Sequence, residues 1–435
     1  MPVGGPATAL WTRNLHPCFA MEMNDVMGLY SSFALETLLP LCRDRYADRV
    51  HGGFHEQLDA DFAPVPRLGK RLLVQCRQLY VLSHAAVLGD ASGSLAAEAG
   101  YDFLCRAYRD DRNGGWFFRA TAEGSPEDRG KDLYGHAFVL MALAWIHRAF
   151  RAPRALELAA WTLDLLKTRM ASPHGGFLEY ALEDWRPVTR VRRQNPHMHL
   201  VEALLDLCEA TGESRWLDEA APLLTLLRTR FFDPETGTLG EFFTDDWRPD
   251  PDRGAIVEPG HHYEWVWLLH RYEALSRSFG GRATGVETGG GPNHDLAMAD
   301  RLFAFATQHG FDAAGGIHDE VDRTGRPIST TRRIWPVTEA IKAGAARRLH
   351  GRRTPGPGVC EPGSADVARL VEHLFEDFVH PAREGVPHRG WNERLTSAGR
   401  PATVTLPGTT PYHLFSAAAQ VIGLSQTSPV VNRDG

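Results

Sequence analysis

Two rhythms of apolar and polar residues alternate along the chain. In the first, apolar side chains recur three and four apart, as at Met27, Tyr30, Phe33, Leu35, Leu38 and Leu39, which predicts helices with one buried face. Such stretches are rich in Leu and Ala and run for about sixty to seventy-five residues, enough for two helices each. The second rhythm is short. A glycine beside a large apolar residue opens an alternating polar/apolar stretch that ends in a polar turn, often with a proline behind. It occurs six times, at Gly52-Gly53-Phe54, Gly114-Gly115-Trp116, Gly175-Gly176-Phe177, Leu239-Gly240-Glu241-Phe242, Gly315-Gly316-Ile317 and Gly390-Trp391. The stretches that follow, from HEQLDADFAPV in the first copy to NERLTSAGRPA in the last, predict β-hairpins. Self-similarity at this period predicts a toroidal or solenoidal array. Six helix pairs closing in a ring make an (α/α)6 barrel, an all-α fold with short β-hairpins at one mouth.

The repeat also sets the domain plan. Length alone would suggest about three domains, but the sixfold period argues for one. Residues 1–20 are expected to form a loose arm, 21–425 a single barrel domain and 426–435 a C-terminal tail. Asn24 is suited to cap the first helix. The Gly- and Pro-rich segments 279–293 and 351–365 predict loops between paired helices and account for the longer last two intervals.

The same register locates candidate chemistry. From Gly53, Gly115, Gly176, Gly240, Gly316 and Gly390, intervals of 21 to 24 residues lead to Arg77, His136, His199, His261, Glu339 and His413. A polar or ionisable side chain thus recurs where each inner helix should begin. Helix-start signals agree: Asn195-Pro196, Thr410-Pro411, Pro259-Gly260, and Asp132 as a cap. Helix N-termini present unpaired N–H groups and positive dipole ends, which favour a developing oxyanion and a neutral histidine. Glu202 and Glu264 follow His199 and His261 three residues on, as neighbours able to orient them. Imidazoles move protons near neutral pH. Two at one carbon can take a proton from one face and return it to the same or the opposite face. Arg77 offers a fixed cationic fork for a carbonyl or an enediolate. Trp335, Trp265 and Trp116 offer flat faces of the kind sugars stack on.

Composition narrows the partners. The formal charge is −7 with no basic stripe, so nucleic acid is not expected. The chain has no run of 18 apolar residues, and its N-terminus lacks a signal pattern, so neither a membrane span nor export is expected. The six cysteines, Cys18, Cys42, Cys76, Cys105, Cys208 and Cys360, are scattered without a C-x-x-C pair and suit a reducing cytoplasm.

The segments RLLVQCRQLY, DLYGHAFVLMALA, NPHMHLVEALL, PGHHYEWVWLL, RRIWPVTEAIKA and YHL, in this order and spacing, resemble the N-acylglucosamine 2-epimerase superfamily from about residue 25 to 425. The resemblance implies an (α/α)6 barrel that interconverts aldoses with ketoses or C2 epimers, through ring opening and a cis-enediol, with no cofactor or metal. It places catalytic histidines at His261 and His413, the arginine that polarises substrate oxygens at Arg77, and the family glutamate at Glu264. A substrate-binding histidine falls at His199, with Asn195 one turn before it. His136 in DLYGHAF and the WPVTEAIKA segment, which holds Trp335 and Glu339, point to the mannose-isomerase-like branch; Glu202 completes the expected substrate-binding set.

The expected substrate is a free monosaccharide, and the chain a monomer or homodimer. The expected reaction is D-mannose/D-fructose isomerisation. His413 would move the C2 proton to C1, while His261, oriented by Glu264, would shuttle a proton between O1 and O2. The alternative is 2-epimerisation by the same histidines on opposite faces of C2. Arg192-Arg193 and Arg332-Arg333 could meet a phosphorylated or sulfonated sugar. A metal site of His197, His199, His261 and His413 lacks a spacing such as H-E-x-x-H. A glycosidase would need two acids flanking the bond, and Glu339 is the one acid in phase. A purely binding ring would not need converging histidines.

Overall fold

The computed structural model describes residues 23–280, 292–351, 366–379 and 390–427. The N-terminal arm, Cys18, Cys360, most of both Gly/Pro-rich loops and most of the expected tail lie outside the described residues. Six inner helices, Leu72–Val87, Leu133–Phe150, Asn195–Thr211, Pro259–Ser278, Trp335–Leu349 and Thr410–Thr427, alternate along the chain with six outer helical segments. The outer segments span 23–46, Ser94–Ala107, Pro153–Arg169, 215–231, Pro292–His309 and 367–378. Each inner helix packs on the next, and the sixth packs back on the first, which closes the barrel. The first outer segment covers the sixth inner helix, so both ends of the fold are tied to one another.

Burial follows from position in the ring. The second inner helix is buried without a break from Ala137 to Ile146, because neighbours flank it on both sides. The outer helix Pro153–Arg169 buries one stripe, Ala155, Leu158, Ala159, Thr162, Leu163 and Leu166. Asn24 lies within the first outer segment, which already includes Met23, so it does not cap that helix. The last inner helix runs through Thr427, into the first residues of the expected tail. Among the described residues, no helix is long and apolar enough to cross a membrane.

The hairpins stitch the ring together at one mouth. The first strand of each pairs antiparallel with a short strand just ahead of a neighbouring inner helix. Arg119–Ala120 pairs with Lys70–Arg71, Tyr180–Ala181 with Lys131–Asp132, and Phe242–Phe243 with Arg192–Arg193. Glu320–Asp322 pairs with Ile256–Val257, and Arg394–Leu395 with Arg332–Arg333. The sixth pair, Gln57–Leu58 with Leu406–Pro407, joins the first hairpin to the last inner helix and closes the mouth. Glycine is required where the second repeat opens its hairpin. Gly115 has φ +78, and a Cβ there would lie 2.5 Å from the Trp185 ring and 3.0 Å from His136 Nε2.

Candidate active site

A cavity of about 740 Å³ opens at the stitched mouth, where the inner helices begin. Arg77, Asn195, His199, His261, Glu264, Trp335 and His413 lie on its wall, one or two from each of five inner helices. The second inner helix contributes Tyr134 instead, a residue that the repeat register passes over.

His413 is held as a neutral base. Its Nδ1 lies 2.9 Å from Glu339 Oε1, and its Nε2 lies 3.2 Å from Arg77 Nη1. A guanidinium can only donate, so Nε2 carries the lone pair and Nδ1–H donates to Glu339. Burial, then the charges of Arg77 and Lys342, hold its pKa well below that of a free imidazole. Arg77 is itself clamped. It donates to Tyr134 Oη at 3.0 Å and to the Thr409 carbonyl at 3.3 Å. Its guanidinium also lies over the rings of Phe138 and Tyr412, 4.5 and 4.7 Å from their centroids.

His261 is held in the opposite state. Its Nδ1 donates to Glu241 Oε2 at 2.9 Å, with Glu258 3.9 Å away. Burial lowers its proton affinity, but Glu241 and Glu258 outweigh burial and raise the pKa to about 9. The ring is therefore cationic near neutral pH, and both nitrogens donate. Nε2 faces the Asn195 amide at 3.1 Å, while Asn195 Oδ1 is buried without a partner. Turning the amide so that Oδ1 accepts from Nε2–H satisfies both groups. The partner expected for His261, Glu264, is replaced by Glu241 from the fourth hairpin. Glu241 belongs to the repeated glycine motif, but nothing in that motif signals contact with a helix residue.

A third histidine is neutral. His199 Nδ1 donates to Glu202 Oε2 at 2.8 Å, and Glu202 also accepts from Tyr412 Oη at 2.6 and 2.7 Å. Burial, partly opposed by Glu202, lowers the His199 pKa to about 4. Its Nε2 is 3.7 Å from Glu264 Oε1. Burial and the nearby Glu339 push the Glu264 carboxyl well above its usual range, and it faces the cavity. The Trp335 ring completes the wall, 4.9 Å from the His261 ring and 6.0 Å from that of His413. Two histidine–carboxylate groups, His199–Glu202–Glu264 and Glu241–Glu258–His261, bring ligand atoms within 4.8 Å of one another and could hold a metal ion.

The sequence pattern of the N-acylglucosamine 2-epimerase family matches residues 52–417. The chain belongs to this family. It is 31% identical over 416 residues to the mannose-6-phosphate isomerase of Rhizobium meliloti (strain 1021), covering 91% of this chain and 97% of that one. It is 31% identical over 321 residues to the D-mannose isomerase of Thermobifida fusca, covering 71% and 75%. The structure of cellobiose 2-epimerase from Spirochaeta thermophila DSM 6192 superposes with a TM-score of 0.78 at 26% identity, covering 93% of this chain and 98% of that one.

In this member of the N-acylglucosamine 2-epimerase family, three residues expected to touch substrate lie elsewhere. Glu202 and Glu339 are buried behind His199 and His413 and orient those rings. His136 is a fastener. Its Nε2 accepts from the Trp116 amide at 3.1 Å, and its Nδ1–H donates to the Asp132 carbonyl at 2.8 Å. His197 and His262 hold the amides of Phe177 and Leu239 in the same way, and Gln75 holds that of Phe54. The register therefore mixed two sets of polar residues. One or two positions along a helix rotate a side chain by about 100° or 200°, which separates a cavity residue from a fastener. His197, weighed above within a metal site, is in the fastener set. Asp132 does cap its helix, accepting from the Gly135 amide at 2.7 Å.

The arginine pairs divide similarly. Arg192 and Arg332 turn away to Asp245 and Asp312, whereas Arg193 and Arg333 reach the cavity already paired, with Glu179 and with Glu258 and Asp319. Trp116 and Trp265 are core residues rather than sugar platforms.

Proposed function

We propose that the protein is a sugar isomerase interconverting D-mannose and D-fructose through a cis-enediol, with His413 as base and His261 as acid. The observation that carries this reading is the opposed setting of two histidines on one cavity wall, His413 beside the Arg77 guanidinium and His261 beside the Glu241 carboxylate. In the open-chain aldose, His413 Nε2 takes the C2 proton. The C–H electron pair becomes the C1=C2 bond, and O1 receives a proton from His261. His261, now neutral, takes the O2 proton as the C2=O2 bond forms, and the proton on His413 goes to C1. Arg77, His199 and Glu264 hold the oxygens, and Trp335 supplies the stacking face. Each acid–base role is worth about 10²–10⁴-fold in rate. Arg77 and the His261 cation provide the positive charge that the enediolate needs, so no step calls for a metal. The relatives named as mannose isomerases support this choice of reaction. The free thiols Cys42, Cys76, Cys105 and Cys208 suit a cytoplasmic location.

The second reading is 2-epimerisation, favoured by the same His261 cation: a proton donor near C2 can return a proton to C2 itself. Incubating EDTA-treated protein with D-mannose in D₂O separates the two. Fructose carrying partial deuterium at C1 is expected. Glucose deuterated at C2 without fructose would move the assignment to epimerisation. Failure to convert mannose, lyxose, a phosphosugar or a disaccharide would refute both.

A further inference from the structure

We infer that Lys342 is a positioning residue of the reaction: from beneath the cavity it keeps Glu339 ionised, and so keeps His413 in the tautomer that can act as a base. This rests on the acid–base reading above. Lys342 lies on the fifth inner helix, three residues after Glu339, and is wholly buried. Its Nζ is 2.7 Å from Glu339 Oε2, while the other oxygen of that carboxylate holds His413 Nδ1 at 2.9 Å. The ammonium and the imidazole thus share one carboxylate out of reach of water. The ring of Trp267, 3.6 Å from Nζ to its centroid, fixes the ammonium from a second side.

The surrounding charges explain why a cation sits there. Glu202 of the third inner helix, Glu264 of the fourth and Glu339 on the same helix all act on Lys342. Arg77 of the first inner helix and His199 of the third bear on His413, Tyr412 beside it feels these carboxylates, and Tyr30 of the first outer segment feels Glu339. Burial already holds the Glu339 carboxyl above its usual range, with Lys342 the largest opposing influence. Without the ammonium, Glu339 would take a proton more readily. A protonated Glu339 would donate to His413 Nδ1 rather than accept from it. The imidazole proton would then sit on Nε2, facing the Arg77 donor, with no lone pair left to attack C2–H. A buried pair serving packing alone could be exchanged for apolar residues at little cost. This one lies directly behind the base.

Lys342→Met keeps the side-chain stem and removes the charge. The expected result is an acidic limb of kcat/KM for mannose displaced upward by about one pH unit or more, with kcat falling and KM little changed. NMR of the protein with ¹⁵N-labelled histidine should show His413 shifting toward the Nε2–H tautomer, with no substrate needed. The double variant Glu339→Gln/Lys342→Met should be no slower than Glu339→Gln alone, because the lysine acts through that carboxylate. A folded Lys342→Met variant with the wild-type pH profile and His413 tautomer would overturn the inference, as would a double variant losing the product of both single losses. Should Lys342→Met not fold, the double variant, which leaves no unpaired charge, carries the same comparison. Absence of mannose turnover in the wild type would count against the proposed function, while the tautomer measurement would still decide the role of Lys342.

Discussion

Glu241→Gln separates the charge on His261 from its position. The amide oxygen can still accept from Nδ1–H, but the negative charge is gone. His261 titrates at about 9, against 6.5 for a free imidazole. That gap corresponds to about 3 kcal/mol at roughly 1.4 kcal/mol per unit. Burial works in the opposite direction, so the two carboxylates together supply more than this. With Glu241 neutralised, Glu258 remains, but it is 3.9 Å from the ring and is engaged with Arg333 at 2.9 Å. The His261 pKa should fall to about 6.5 or below. At about pH 7.5 the cationic fraction then drops from nearly all to roughly a tenth. Because the cation is the active form, activity is lost as pH rises through the pKa. Initial rates of fructose formation from about pH 5.5 to 10 should show the alkaline limb of kcat/KM near 9 in the wild type and near 6.5 or lower in the variant. At pH 7.5 the variant should be roughly tenfold slower and should recover most of that loss near pH 6. An alkaline limb that stays near 9, or a loss equal at every pH, would refute the acid role of His261.

Two further substitutions test the division between cavity residues and fasteners. His413→Ala should lower kcat by about 10²–10⁴-fold with an unchanged circular dichroism spectrum; near-normal turnover would remove it as the base. His136→Ala leaves the Trp116 amide unpaired in a buried turn and should cost about 1–3 kcal/mol of stability. Mannose kinetics of the folded fraction should stay within about twofold of wild type, since a fastener does not meet the transition state. A large rise in KM with an unchanged melting temperature would instead restore the substrate contact.

The architecture was legible in the sequence because its signals are local. Helical spacing, glycine turns and their sixfold period each need only neighbouring residues, and together they specify a ring of helix pairs. The repeat register, with helix-start signals ahead of His199, His261 and His413, then placed these histidines and Arg77 at one mouth. The stitching strands were not legible, since most are two residues long, too short for a period, and their partners lie in another repeat. Nor was the register fine enough to tell His136 from a cavity residue, because a one-residue ambiguity turns a side chain to another face.

What tertiary structure alone decided is the protonation of the site. His261 meets Glu241 across 20 residues and His413 meets Glu339 across 74. Both rings are buried histidines at the starts of inner helices, and in sequence they are equivalent. One becomes an acid and the other a base because different charges converge on them. Carboxylates from the fourth hairpin and its neighbouring helix surround His261, whereas Arg77 and Lys342 bear on His413. Coulombic interactions depend on distance through space, and closing the ring is what sets those distances.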